Sequence, residues 1–161
     1  MKSDEILDIL RGNARTSTDD IARELNLTEE QVASGIRLLE ESGTLLGYQA
    51  IINDQMVQSQ AVQAVVEVRI TPERGGGFDR FAARIAKFEE VTSCHLMSGS
   101  YDLLVIVQGS SLQEIASFIS EKLSTIKGVI STATHFRLKA YKQNGVLLIR
   151  EPKTQRLAVT P

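Results

Sequence analysis

The hydrophobic pattern predicts an α+β chain: an N-terminal helix-turn-helix of three helices, winged-helix-like, then a C-terminal ferredoxin-like βαββαβ unit. Three observations lead there. Apolar residues recur at helical spacing as far as Gly43. From Val62 they switch to strict alternation. The later segments then read strand, helix, strand, strand, helix, strand. The chain accordingly divides into residues 1–50, a linker over 51–60, the sheet unit over 61–142 and a C-terminal tail over 143–161.

Ile6, Leu7 and Leu10 give the first helix its apolar side, with Ser3 as the expected N-cap and Gly12-Asn13 as its end. Ser17-Thr18-Asp19-Asp20 starts the second, where acids favour a helix N-terminus. Ile21, Ala22 and Leu25 form its buried side, and Asn26-Leu27 is a tight connection. Thr28 and Gln31 have capping-box spacing at the start of the third helix, which carries Val32, Ile36 and Leu39 and stops at Gly43. Leu45–Ile52 is apolar and extended, and residues 53–60 are polar and irregular.

Val62, Ala64, Val66, Val68 and Ile70 alternate on one face of a strand. Residues 71–77, rich in Gly and containing Pro72, break it. Phe78, Phe81, Ile85 and Phe88 make a helical stripe. Val91–Met97 reads as a second strand and Leu103–Val107 as a third, buried on both sides. Ser111 and Glu114 form a second capping box, opening a helix with Ile115, Phe118, Ile119, Leu123 and Ile126 that Gly128 closes. Val129–Lys139 is the fourth strand. Both helices fall on one side of the sheet, and a second copy is expected to cover the other. In the tail, Val146–Ile149 and Leu157–Val159 flank Glu151-Pro152-Lys153-Thr154 and predict a hairpin.

Of the 161 residues, 42% are apolar and 24% charged, which excludes a disordered chain. No apolar run approaches the roughly 20 residues of a membrane span. Met1–Glu5 lacks an export signal, so a cytoplasmic protein is expected. One cysteine, Cys94, excludes an internal disulfide and a multi-cysteine zinc site. Cys94 and His95 are adjacent in a strand and point to opposite faces, so no metal is expected. Residues 1–50 hold five Lys/Arg against ten Asp/Glu, a net −5, and that balance alone does not suggest nucleic acid.

The motifs suggest it nonetheless. A helix-turn-helix followed by a ferredoxin-like unit resembles the Lrp/AsnC family, the feast/famine transcription regulators. The resemblance runs from Asp4 to Lys142. It rests on Ile6-Leu-Asp-Ile-Leu10, Ile21-Ala-Arg-Glu-Leu25, Arg37-Leu-Leu-Glu40 before Gly43, and Gly47-Tyr48. In the second half it rests on Gly99-Ser-Tyr-Asp102 before Leu103-Leu104, and on Gly128-Val129 followed by Thr132 and Thr134. It implies a regulator that binds double-stranded DNA, forms a homodimer through its sheet, and assembles to an octamer. It also implies a small effector, usually an amino acid, held between dimers near the glycine-containing turn. Two features depart from the family pattern: Gly35 stands where a basic residue is usual, and the tail adds about twenty residues. Other readings are a ligand-sensing oligomer or co-regulator without DNA binding of its own, and an enzyme resembling siroheme decarboxylases. No catalytic residue and no cofactor are expected.

Site residues follow. Gln31, Ser34 and Arg37 share one face of the third helix; Gln suits adenine, and Arg suits guanine or phosphate. Thr18 and Thr28 cap helices whose amides can also hold phosphate. Gly35 is expected where the helix approaches the DNA backbone. For the effector, Ser98, Gly99 and Ser100 offer turn amides to a carboxylate and Asp102 offers a partner for an ammonium. Met97, Tyr101, Thr132 and Thr134 are expected to line the same pocket.

Overall fold

A computed structural model describes residues 2–57, 61–71 and 77–149. They form two compact units, meeting in the chain between Ile52 and Asn53. In the first, helices α1 (Ser3–Gly12), α2 (Thr18–Leu25) and α3 (Glu29–Glu41) bury Ile6, Leu10, Ile21, Leu25, Val32 and Leu39 in one cluster. Short-range chemistry sets the helix ends. Ser3 is already helical, and Lys2 takes the position before it. The Lys2 ammonium donates to the Leu25 carbonyl at 2.8 Å, tying the start of α1 to the end of α2. The cap of α2 is Ser17, not Thr18: Ser17 has the extended backbone a cap needs, and its Oγ accepts from the Asp20 amide at 3.1 Å. The capping box of α3 is complete, with Thr28 Oγ1 accepting from the Gln31 amide and Gln31 Oε1 from the Thr28 amide. Residues 45–52 enter no described sheet; Leu45 packs on the cluster while Leu46 and Ile52 stay exposed.

The second unit runs β1 (Val62–Ile70), α4 (Gly77–Ile85), β2 (Val91–Leu96), β3 (Leu103–Gly109), α5 (Leu112–Ser117) and β4 (Val129–Phe136). The sheet is antiparallel in the order β2-β3-β1-β4. Ala64, Val66, Val68 and Ile70 lie beside Leu103, Val105 and Val107 under Phe81, Ile85, Ile115, Phe118 and Leu123. This alternation buries one face of every strand it reaches. β3 is therefore buried on one side only: Leu104 and Ile106 point to the helix-free face and stay partly exposed. Its unbroken apolar run mimics a two-sided strand, but no described element of this unit covers the second side.

Other boundaries shift for local reasons. Phe88 lies past the end of α4, with its amide bonded to the Ile85 carbonyl, yet its ring still packs edge-on against Phe118. β4 ends at Phe136, three residues before Lys139. Ser111 caps α5 at the Glu114 amide, but the Glu114 carboxylate bonds the amide and hydroxyl of Ser110 (2.7 and 2.6 Å), where it finds two donors together. α5 then widens into a π-helical turn over Phe118–Leu123. A hairpin of β5 (Lys142–Gln143) and β6 (Val146–Leu147) turns on Asn144-Gly145, both at positive φ as a two-residue hairpin requires. The hairpin expected around Glu151–Thr154 lies outside the described residues.

Gly128 closes the second helical segment at φ +101, and a Cβ there would sit 2.3 Å from Phe81 Cζ. Backbone strain and overpacking each cost about 1–3 kcal/mol. Gly128→Ala should therefore destabilise the second unit by at least ~2 kcal/mol. The measurement is a urea midpoint; an unchanged midpoint would contradict this packing.

Candidate functional site

The outward face of α3 is built by what its inward face buries. Val32, Gly35 and Leu39 turn inward. A Cβ on Gly35 would stand 3.0 Å from Ile6 Cδ1, so this glycine serves the approach of α3 to α1. The structure thus corrects its expected place beside the DNA backbone: it faces the core. Thr28, Gln31, Ser34 and Arg37 are exposed, while Thr18 is half-buried. Gln31 has one amide oxygen, and the Thr28 amide occupies it at 2.9 Å. That bond turns Oε1 toward the helix start, whereas bidentate contact to adenine needs both ends of the amide presented together.

The first unit's cations are mostly spent on its own acids. Lys2 stands 3.7 Å from Glu5, and Arg11 bonds Asp8 at 3.2 Å. Arg23 bonds both Asp19 and Asp20. The hydrogen bond from Arg23 holds the Asp19 carboxyl below its usual range. Arg15 and Arg37 enter no ion pair among the described residues. Arg37 is already singled out in the sequence; Arg15 is not, although the three-to-four-residue spacing of Arg11 and Arg23 to their acids is visible there.

In the second unit the turn 98–102 joins β2 to β3. Met97, Ser98, Gly99 and Ser100 are exposed, Tyr101 and Asp102 half-buried, and Gly99 has φ +150. Asp102 is held at three points. Its carbonyl accepts from the Met97 amide (2.8 Å), its amide donates to the Val68 carbonyl (3.0 Å), and its Oδ2 accepts from the Ile70 amide (2.8 Å). Its carboxylate therefore fastens the turn to the end of β1 and keeps one oxygen for an outside donor. Thr132 and Thr134 share a face, but it is the helical one: they pair with the core residues Val68 and Val66. The Thr132 hydroxyl lies 3.3 Å from that of Ser124. Strand β1 stands between β4 and the strands of the turn, so a single chain does not gather these threonines and the turn around one cavity.

Cys94 packs toward the core, where burial pushes its thiol up, and His95 lies on the exposed face. Among the described residues no three His, Cys, Asp or Glu side chains gather as for a metal, and no helix is long and apolar enough to cross a membrane. The helix-free face presents Val65, Glu67, Leu104, Ile106, Ala133 and His135. On it, His135 Nε2 is 3.4 Å from Glu67 Oε1.

Comparison with known proteins matches residues 5–45 to a winged helix-turn-helix DNA-binding family and residues 63–147 to the Lrp/AsnC ligand binding domain. The HTH-type transcriptional regulator YugG of Bacillus subtilis is 41% identical over 99% of this chain and 97% of its own. The leucine-responsive regulatory protein of Haemophilus influenzae is 26% identical over 91% of this chain and 87% of its own. A transcriptional regulator of Neisseria meningitidis, solved as an L-Met complex, superposes with a TM-score of 0.68 at 26% identity, over 89% of this chain and 92% of that one.

Removing the Asp102 carboxylate leaves the Ile70 amide without its acceptor, which costs about 1–3 kcal/mol. Asp102→Ala should lose that much stability in chemical denaturation, and Asp102→Asn, which keeps an acceptor oxygen, should lose little. Equal stability of all three proteins would show that the bond is not formed.

Proposed function

Because the chain belongs to the Lrp/AsnC family of transcription regulators, we infer that it works as an effector-responsive oligomer on DNA. It is a regulator and not an enzyme, with a DNA-binding helix-turn-helix and a ligand-binding domain. In the reading proposed here, α3 enters the major groove with Ser34 and Arg37, Gln31 adds its Nε2 group, and the α2 and α3 N-termini at Thr18 and Thr28 meet phosphates. One observation carries this reading: Arg37 stands exposed beside Ser34, in no ion pair among the described residues, on a helix whose reverse side Val32, Gly35 and Leu39 fix in place.

The effector is proposed to be an amino acid, the class that the Haemophilus influenzae relative responds to and the Neisseria meningitidis relative holds. Its carboxylate would meet the amides of Ser98–Ser100 and its ammonium the free Asp102 oxygen. The turn is open in a single chain, so neighbouring copies supply the remaining walls. Two copies pair through the helix-free face, dimers assemble to an octamer, and the protein is cytoplasmic. A ligand that binds one assembly better than another shifts the population between them, and with it the number of α3 helices that reach half-sites together.

Each neutralised phosphate contributes about −0.9 to the slope of log affinity against log salt. Arg37→Gln in both domains of a dimer should therefore flatten that slope by about 2 on a selected genomic fragment. An unchanged slope would remove Arg37 from the interface. Asp102→Asn should weaken the amino-acid effector found by sizing and calorimetry by at least ~10-fold. Unaltered affinity would end the ammonium role.

A further inference from the structure

The far end of the sheet from the turn holds a second arrangement that neither the DNA contacts nor the effector turn uses. A cavity of about 320 Å³ opens there between the start of β1, the end of β4, the N-terminus of α5 and the segment entering the unit. β1 is nine residues long, which separates this cavity from the turn by roughly 25 Å. Its walls include Leu112, 50% exposed, Phe136, 37% exposed, and Leu148. Large apolar side chains left open around a concave volume are the usual lining of a small-molecule site.

The polar groups at its rim are specific in sign. Arg137 Nη2 is 2.7 Å from Asp54 Oδ2, with the arginine side chain 27% exposed. A guanidinium has five N–H donors, so donors remain beyond this bond. Lys139 also lines the cavity. Its ammonium lies 5.0 Å over the Tyr141 ring and enters no ion pair among the described residues. Two cations against one carboxylate, beside apolar walls, suit an anion with an apolar body. The volume is at the small end for ligand sites, which suits a small ligand.

We propose that this cavity binds a small monocarboxylate with a branched apolar chain, its carboxylate on Arg137 and Lys139 and its chain against Leu112, Phe136 and Leu148. The ligand's carboxylate competes with Asp54 for Arg137. Asp54 lies two residues after Ile52, the last residue of the first unit, so occupancy acts on the segment that leads to the DNA-binding helices.

The full-length protein with ¹³C-labelled leucine methyls provides the test, with 4-methylpentanoate, L-leucine and 4-methylpentan-1-ol as probes. The expected result is that 4-methylpentanoate saturably shifts the Leu112 and Leu148 methyls, and that the alcohol does not. Lys139→Gln, a change at an exposed residue, should weaken the acid at least ~10-fold. Arg137→Gln should do the same where it folds. Leucine binding with the same dependence on Lys139 would place its ammonium at Asp54; leucine failing while the acid binds would assign the site to carboxylates without an ammonium. The proposal is overturned if acid and alcohol bind alike, if Lys139→Gln leaves the acid's affinity unchanged, or if the shifts are confined to the methyls of Leu96 and Leu103, which flank the turn at 97–102. No saturable shift up to ~10 mM would overturn it equally.

Discussion

A four-stranded antiparallel sheet has two faces, and this chain has helices for one of them. On that side Val66, Val68, Leu103, Val105 and Val107 are sealed beneath α4 and α5. On the other, Leu104 and Ile106 remain partly open beside Glu67 and His135. The strand period of two forces this division, because each residue that fills the core commits its neighbours to the opposite face. The turn proposed for the effector and the cavity at the other end of β1 are both placed by the same strands. Pairing of two copies through the open face, as proposed above, follows from the constraint and needs no separate device.

The first unit has a different economy. It folds on seven buried apolar positions and on short-range polar bonds at the starts of α2 and α3. Most of its positive charge is held by its own acids, which leaves Arg15 and Arg37 for phosphate. Under the proposed DNA reading, a domain so poor in free cations would bind DNA weakly as a single copy. Several such domains on the proposed assembly would regain affinity through effective concentration. Coupling that assembly to an effector would then give a large change in occupancy for a modest change in any one contact.

What the sequence revealed depended on range. The Thr28–Gln31 box, the alternation of β1 and the βαββαβ succession were legible because they rest on neighbours or on strict period. The cap of α2 fell on Ser17 because two hydroxyl residues stand together and only backbone shape chooses between them. Gly35 was misplaced since a glycine's lack of a side chain serves a protein neighbour and a DNA backbone equally, and only the packing of Ile6 tells them apart. The Asn144-Gly145 turn carried a plain hairpin signal, overshadowed by the apolar segments beyond it. Asp54 and Arg137 are 83 residues apart, and nothing local announces their bond.

Gln31 joins two tasks in one side chain, since its oxygen completes the start of α3 while the residue stays exposed on the face proposed to meet DNA. This places a limit on divergence. A lineage that altered operator preference at this position would also loosen the first turn of the helix that reads the operator. Ser34 and Arg37, which cap nothing, are free of that bond. Under the proposed DNA reading, new binding sites would be acquired by change at those two positions, with Gln31 kept for reasons unrelated to the sequence being read.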